Sequence, residues 1–530
     1  MPSLTALIES STNVLKIIDL EVTVNTVCFL YSQDTIKEEV KPYVNILLKS
    51  ICKEGSLLIT LDSFITKMTN KIDAVDQTVR KGAMVTTEQV TGIKLTCQMI
   101  QQFHMVMKRP YVREDILASC RKYVEVLSLP ISRLLTTTKA SSDRNPVIQH
   151  LAMAFPVIVS YTGDIDEEFR EKFEYLLHWS IEKLSCVEQS SELNVAVQFL
   201  KDITALKDKL QLSQNVRTTV LDKTYILLKK YIPVKIQNDL DKSTCDLCDR
   251  LLSLVSALVV SSDIDHFKEL LYKLELSMNI DLSVTRQEEP LVCMSIWYTL
   301  LSSEMSEEQG TYFIQSAHNL TGYLTTLAQQ LSHVEDSPVG RGLCDLQHRI
   351  MVTCPVTKQM ILTMLGSVLL VPVTMETFPS IYEILNEALL NHYNSVFDII
   401  PVFLNSSKRL LFWLIQQGDQ DKLSETPERL TDLLACVHQI DKLFTLISTH
   451  KEEFSKPVVY VVADYVDHVH QLTLLPIVKK ALVSAVYKLL DISDKHILAQ
   501  LHTVLNQGVK EVFKGLYNDY TNFYKYTGKV

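Results

Sequence analysis

The chain has 530 residues, 47% of them hydrophobic and 22% charged, ordinary globular usage that excludes a disordered acidic tail or a fibrous low-complexity chain. Its 13 glycines and 16 prolines fall well short of the roughly 7% and 5% of average proteins, so phosphate-binding glycine loops, Rossmann turns and tight hairpins have few positive-φ positions to use. The net charge of −10 comes from 52 basic and 62 acidic residues interspersed without long runs of either sign, which gives no sign of a nucleic-acid binder.

From the N-terminus, Met1 to Leu20 lacks both a basic n-region and a continuous apolar stretch, so no secretory signal is expected. The 11 cysteines are odd in number and widely spaced, the usage of reduced thiols inside a cell. Apolar residues then recur at helical spacing to the end of the chain. A break is expected over Thr136 to Pro146. The stripe Ile165, Phe169, Phe173, Leu176, Leu177, Ile181 and Leu184 predicts a helix, with Asp164 and Glu167 placed as a capping box. Cys245 and Cys248 form the one C-x-x-C, which could ligate zinc or act as a redox pair. No second closely spaced ligand pair follows, and both cysteines continue the stripe Leu252, Val255, Val259, so they read as core residues.

Further breaks are expected near Val284 to Pro290, over Ser332 to Gly342, over Gln416 to Glu428 and near Asp491 to Asp494, with Gly340 and Gly342 in a loop. The apolar run Met360 to Val373 is too short for a membrane span. Asp464, Asp467, His468 and His470 are the densest imidazole and carboxylate cluster. On a helix, however, His468 and His470 diverge and cannot share one ion, so a solvated or capping role is expected. The basic pairs Lys108-Arg109, Lys229-Lys230, Lys408-Arg409 and Lys479-Lys480 read as solvated helix faces. Pro476 opens a helix with Ile477, Ala481, Leu482, Ala485, Val486, Leu489 and Leu490 on one side. The last helix carries Val509, Val512, Phe513, Leu516, Tyr517, Tyr520 and Phe523 as its apolar stripe, with Lys510, Lys514, Asn518 and Asn522 opposite.

Helices of about 10 to 20 residues joined by short connections predict an all-α, helical-repeat (HEAT/armadillo-like) α-solenoid of roughly twenty helices. Neither a nucleophile elbow nor a phosphate loop is present, so no enzyme, no cofactor and no metal site is expected. The C-terminus offers instead a binding candidate, Lys510, Lys514, Tyr524, Lys525, Tyr526 and Lys529, in which aromatic area alternates with positive charge. Tyr524 to Val530 is expected to lie beyond the last helix.

The stretch from Asp494 through Leu505, then Gly508-Val-Lys-Glu-Val-Phe-Lys-Gly-Leu-Tyr-Asn-Asp-Tyr520, closing with Tyr524-Lys-Tyr-Thr-Gly-Lys-Val530, resembles the end of the unhealthy ribosome biogenesis protein 2 family. The resemblance covers the last forty or so residues best and extends back to about Thr325. It implies an N-terminal helical-repeat region over 1–324 and a C-terminal helical domain over 325–530. It also implies a non-enzymatic scaffold in the nucleolus of the nucleus, acting in large ribosomal subunit biogenesis and pre-rRNA processing. The partners implied are other pre-ribosome assembly factors, including a longer helical-repeat protein and an RNA helicase, with pre-rRNA reached indirectly and no membrane. The competing expectation is a cytoplasmic helical-repeat adaptor for transport or trafficking, for which the first 320 residues serve equally well.

Overall fold

The computed structural model describes residues 61–140, 146–162, 165–186, 191–236, 242–278, 287–331, 338–419 and 427–525. The expectation about Met1 to Leu20 lies outside the described residues. Among the described residues there are 22 α-helices and no strand, only an isolated bridge between Asp419 and Leu474. None of these helices is long and apolar enough to cross a membrane. The described residues divide into two compact units, one holding those up to Leu228 with those of Asp241–Ser261, the other those of Lys229–Leu240 and from Ser262 onward.

In the first unit, α1 (Leu61–Arg80), α3 (Glu114–Ala140) and α5 (Glu167–Leu184) pack in one row. A second row holds α2 (Thr87–Met107), α4 (Ile148–Tyr161), α6 (Ser191–Ala205) and α8 (Lys242–Val260). Most of these helices thus touch a sequence neighbour across the rows and the next but one along their own row, the packing of stacked helix pairs. Helix α7 (Gln214–Ile236) runs across the division between the units.

The second unit repeats the plan. One row runs α10 (Glu288–Leu300), α12 (Pro338–Thr353), α14 (Thr377–Asn391), α17 (Pro427–Thr449) and α20 (Pro476–Ile492). The other runs α9 (Ile264–Leu276), α11 (Glu307–Leu331), α13 (Lys358–Val368), α16 (Ile400–Gln417), α19 (Val458–Gln471) and α22 (Gln507–Asp519). Short helices α15 (Tyr393–Phe397), α18 (Lys451–Phe454) and α21 (Lys495–Val504) join members of these rows. Both units are therefore helical-repeat (HEAT/armadillo-like) α-solenoids, as the periodicity predicts. The division expected between Leu324 and Thr325 falls inside α11.

Local chemistry explains the boundaries. Helix α5 starts after Asp166, whose carboxylate accepts the Phe169 N–H at 2.8 Å, so the cap lies two residues beyond the expected Asp164. Phe173, Leu176, Leu177 and Leu184 are buried as expected, with Trp179 beside them. Gly340 and Gly342 lie within the first turns of α12 rather than in a loop. A Cβ on Gly340 would stand 3.2 Å from Val371 Cγ1, and one on Gly342 3.2 Å from Met294 Cε, so these glycines admit α12 closely against its neighbours. In α20 the buried stripe begins at Val478, and Ile477 is half exposed instead.

Candidate functional site

The C-terminal end of the second unit is built from α19, α20 and α22. Gly508 opens α22 at a point where a Cβ would fall 2.2 Å from His470 Nε2, so the glycine lets the helix start close against the end of α19. Val509, Phe513, Leu516 and Tyr520 are buried, which fits the amphipathic spacing, while Val512 and Tyr517 are half-buried. Lys514, Asn518 and Asn522 are exposed on the other side, and Lys510 is half-buried.

At Tyr520 the helix widens into a π turn, Tyr520–Tyr524, closed by the Lys525 N–H donating to the Tyr520 carbonyl at 2.9 Å. The wider turn changes the phase of the side chains. Phe523, expected on the apolar stripe, is 70% exposed, and Tyr524 turns inward in its place. Tyr524 therefore belongs to the helical end rather than to a tail beyond it. Its ring centroid lies 5.1 Å from that of Tyr487 on α20 and 5.9 Å from that of Tyr520. Tyr517 and Tyr487 flank Tyr520 at 6.0 and 5.8 Å. The Tyr520 hydroxyl donates to Asp491, and burial together with that carboxylate holds its phenol well above the ordinary value. Burial and the charges of Asp491 and Asp441 raise Tyr524 in the same direction.

The structure thus places Lys510 and Lys514 one turn apart on α22, with Tyr524 packed at its end and Lys525 half-buried beside it. Tyr526 and Lys529 lie outside the described residues. Sequence reasoning missed Tyr487 and Asp491, which sit on the flank of the α20 stripe. Their i, i+4 spacing was the available signal.

The remaining candidates resolve into packing. Cys248 is buried in line with Leu252, Val255 and Val259, and Cys245 is half-buried. Burial pushes the Cys120 and Cys436 thiols up to about 11, away from the reactive thiolate. Asp464 pairs with Lys408 at 2.8 Å, while His468 bonds through Nδ1 to the Asp464 carbonyl at 2.8 Å and stacks on Phe412 with centroids 3.9 Å apart. Among the described residues no group of three or more His, Cys, Asp or Glu side chains is gathered to hold an ion. Of the basic pairs, Lys408-Arg409 is not a solvated face. The Arg409 guanidinium donates to the carbonyls of Val368 at 2.8 Å and Val371 at 2.7 Å, satisfying the end of α13.

Among solved structures the chain is similar to Kap121p bound to RanGTP, at 10% identity and a TM-score of 0.48, over 94% of this chain and 55% of that one. It is similar to Kap121p bound to Ste12p at 11% identity and a TM-score of 0.45, over 95% and 56%. For yeast importin-β (Kap95p) the values are 10% and 0.34, over 93% and 61%. The chain thus spans 55% to 61% of the length of these proteins. The model of the Urb2/Npa2 family matches residues 251–529, slightly more than half of the 530 residues. That span includes α19, α20 and α22 with the motif Phe513-Lys514, Leu516-Tyr517 and Asp519-Tyr520, and the chain belongs to the Urb2/Npa2 family.

Proposed function

We propose that this chain is a non-enzymatic helical scaffold of nucleolar large ribosomal subunit biogenesis and pre-rRNA processing. Its family membership over residues 251–529 carries the reading, and the two-row packing supports it, because stacked helix pairs present long continuous surfaces to partners. Buried, poorly ionised thiols and the packed Asp464 and His468 are consistent with a chain that performs no chemistry of its own. The partners are other pre-ribosome assembly factors, including a longer helical-repeat protein and an RNA helicase.

Docking is assigned to the region 325–530, which follows an N-terminal helical-repeat region over 1–324. The exposed side of α22 with Lys514, the neighbouring Lys510 and Lys525, and the segment through Tyr526 and Lys529 form the docking element, with Tyr524 anchoring it. The experiment is affinity purification of the tagged full chain, with imaging of its position in the cell. Recovery of large-subunit precursors from a nucleolar chain is the expected result. Exclusion from nucleoli, with transport components recovered instead, would overturn the reading.

A further inference from the structure

The connection between α2 and α3 carries an aromatic ring in a conformation that the sequence has every reason to avoid. Pro110 precedes Tyr111, whose φ is +65°, in the left-handed region. A proline followed by a positive-φ residue is the arrangement of a type II turn, where glycine or asparagine normally takes the second place because a Cβ is strained there. Among the described residues Tyr111 is the one non-glycine with positive φ, and its side chain is fully exposed. The next residue, Val112, is half-buried. The strain therefore contributes nothing to the core; its effect is to hold a tyrosine ring clear of the surface with both faces open.

Charged residues flank the ring in the chain, Lys108 and Arg109 before it and Arg113, Glu114 and Asp115 after it. Lys108 and Arg109 are exposed and neither is in an ion pair among the described residues, whereas Arg113 is paired with Asp115 and Arg121 lies 3.9 Å from Glu114. The Asp202 carboxylate faces Lys108 and offsets part of its charge, which leaves Arg109 as the least compensated cation. A second ring stands on the same edge of the first unit. Tyr161, the last residue of α4, is 39% exposed and its hydroxyl meets His104 Nδ1 at 3.0 Å, which sets the ends of α2 and α4 side by side. Burial and the Lys108 charge lower the His104 pKa, which favours the uncharged imidazole. The Lys209 ammonium donates to the carbonyls of Val159, Ser160 and Thr162, which holds it against the end of α4 with its charge intact.

We infer that the Lys108–Arg113 turn is a contact point for single-stranded RNA, with a base stacked on Tyr111 and phosphates beside Arg109 and Lys108. A protein hot spot would set its aromatic anchor in a dry, apolar surround, and here the surround is charged and wet. A ring with two open faces flanked by cations is the arrangement that holds unpaired bases. This inference stands apart from the docking element at α22 and does not depend on it.

The test is fluorescence anisotropy of labelled oligouridylate against the purified full chain. Tyr111→Gly removes the ring and also the backbone strain, so affinity should fall about ten-fold or more while the thermal midpoint stays level or rises. Tyr111→Asn, which also tolerates the left-handed region, should behave alike, and Tyr111→Phe should retain binding. Arg109→Gln should reduce the slope of log affinity against log salt by about 0.7. The inference is overturned if oligouridylate does not bind at low salt, if the Gly and Asn variants bind as well as the parent, or if polyglutamate binds in a Tyr111-dependent way and oligouridylate does not.

Discussion

The hydroxyl of Tyr520 donates to Oδ1 of Asp491 across 2.9 Å, tying the π turn after α22 to the last turn of α20. This bond makes the end of the array sensitive to alkali. Burial and Asp491 raise the folded-state pKa of Tyr520, and burial raises that of Tyr465 as well. The folded chain then holds these phenolic protons more tightly than the unfolded one, so the associated stability is complete below about pH 10 and is lost as pH rises beyond it. Tyr520→Phe should cost about 1 kcal/mol at neutral pH and flatten the alkaline limb. Urea denaturation of both proteins at a series of pH values reads the difference.

Phe513 and Lys514 are adjacent on α22 and should separate stability from recognition. Phe513→Ala empties a buried ring site and should destabilise the second unit by about 3–5 kcal/mol. Lys510→Glu combined with Lys514→Glu should change stability by no more than about 0.5 kcal/mol yet lower the recovery of assembly factors in affinity purification. Equal recovery from parent and double variant would remove the docking role from these lysines.

Arg409 and Lys408 are sequence neighbours with unequal duties. Arg409→Met would strand the carbonyls of Val368 and Val371 at the end of α13, for a loss of about 2–4 kcal/mol. Lys408→Met breaks a partly exposed pair with Asp464 and should cost under about 1 kcal/mol. Thermal melts of the two variants provide the comparison.

Gly418 ends α16 with ordinary negative φ, so its need for glycine is spatial. A Cβ there would lie 2.9 Å from Val478 Cγ1 and 3.0 Å from the Leu414 carbonyl oxygen. Gly418→Ala should therefore cost about 1–3 kcal/mol through overpacking. Gly515→Ala, where no atom stands near the added methyl, serves as the control in the same chemical denaturation series and should be neutral or mildly stabilising.

Helical periodicity made the fold legible, because the buried positions of α5, α8 and α22 follow the 3.6-residue stripe that composition and spacing already display. The C-terminal motif made the family legible. Where the reading failed, a long-range contact or a change of local geometry was responsible. Phe523 left the stripe and Tyr524 entered it because one π turn altered the phase, which no side-chain pattern announces. Arg409 left the surface because the open carbonyls of α13 lie about forty positions earlier in the chain. Gly340 and Gly342 read as loop markers, yet their role is set by Val371 in the bend after α13 and by Met294 on α10. The turn at Tyr111 was hidden for a related reason: a strained φ is a property of the backbone, and the letters Pro-Tyr do not disclose it.

The near-neighbour packing within each row bears on how such a chain is made. A helix in either unit makes its main contacts with elements one to three places away in sequence, so little of the structure waits on distant segments. During synthesis each helix pair can settle against the pair already formed while the following pair is still being translated, and the growing end shows one unfinished face at a time. In the second unit α22 and its π turn reach α19 and α20 together, so they cover members of both rows at once. A lesion in α22 therefore opens both rows at once, whereas a lesion in a helix that packs along one row opens a single seam.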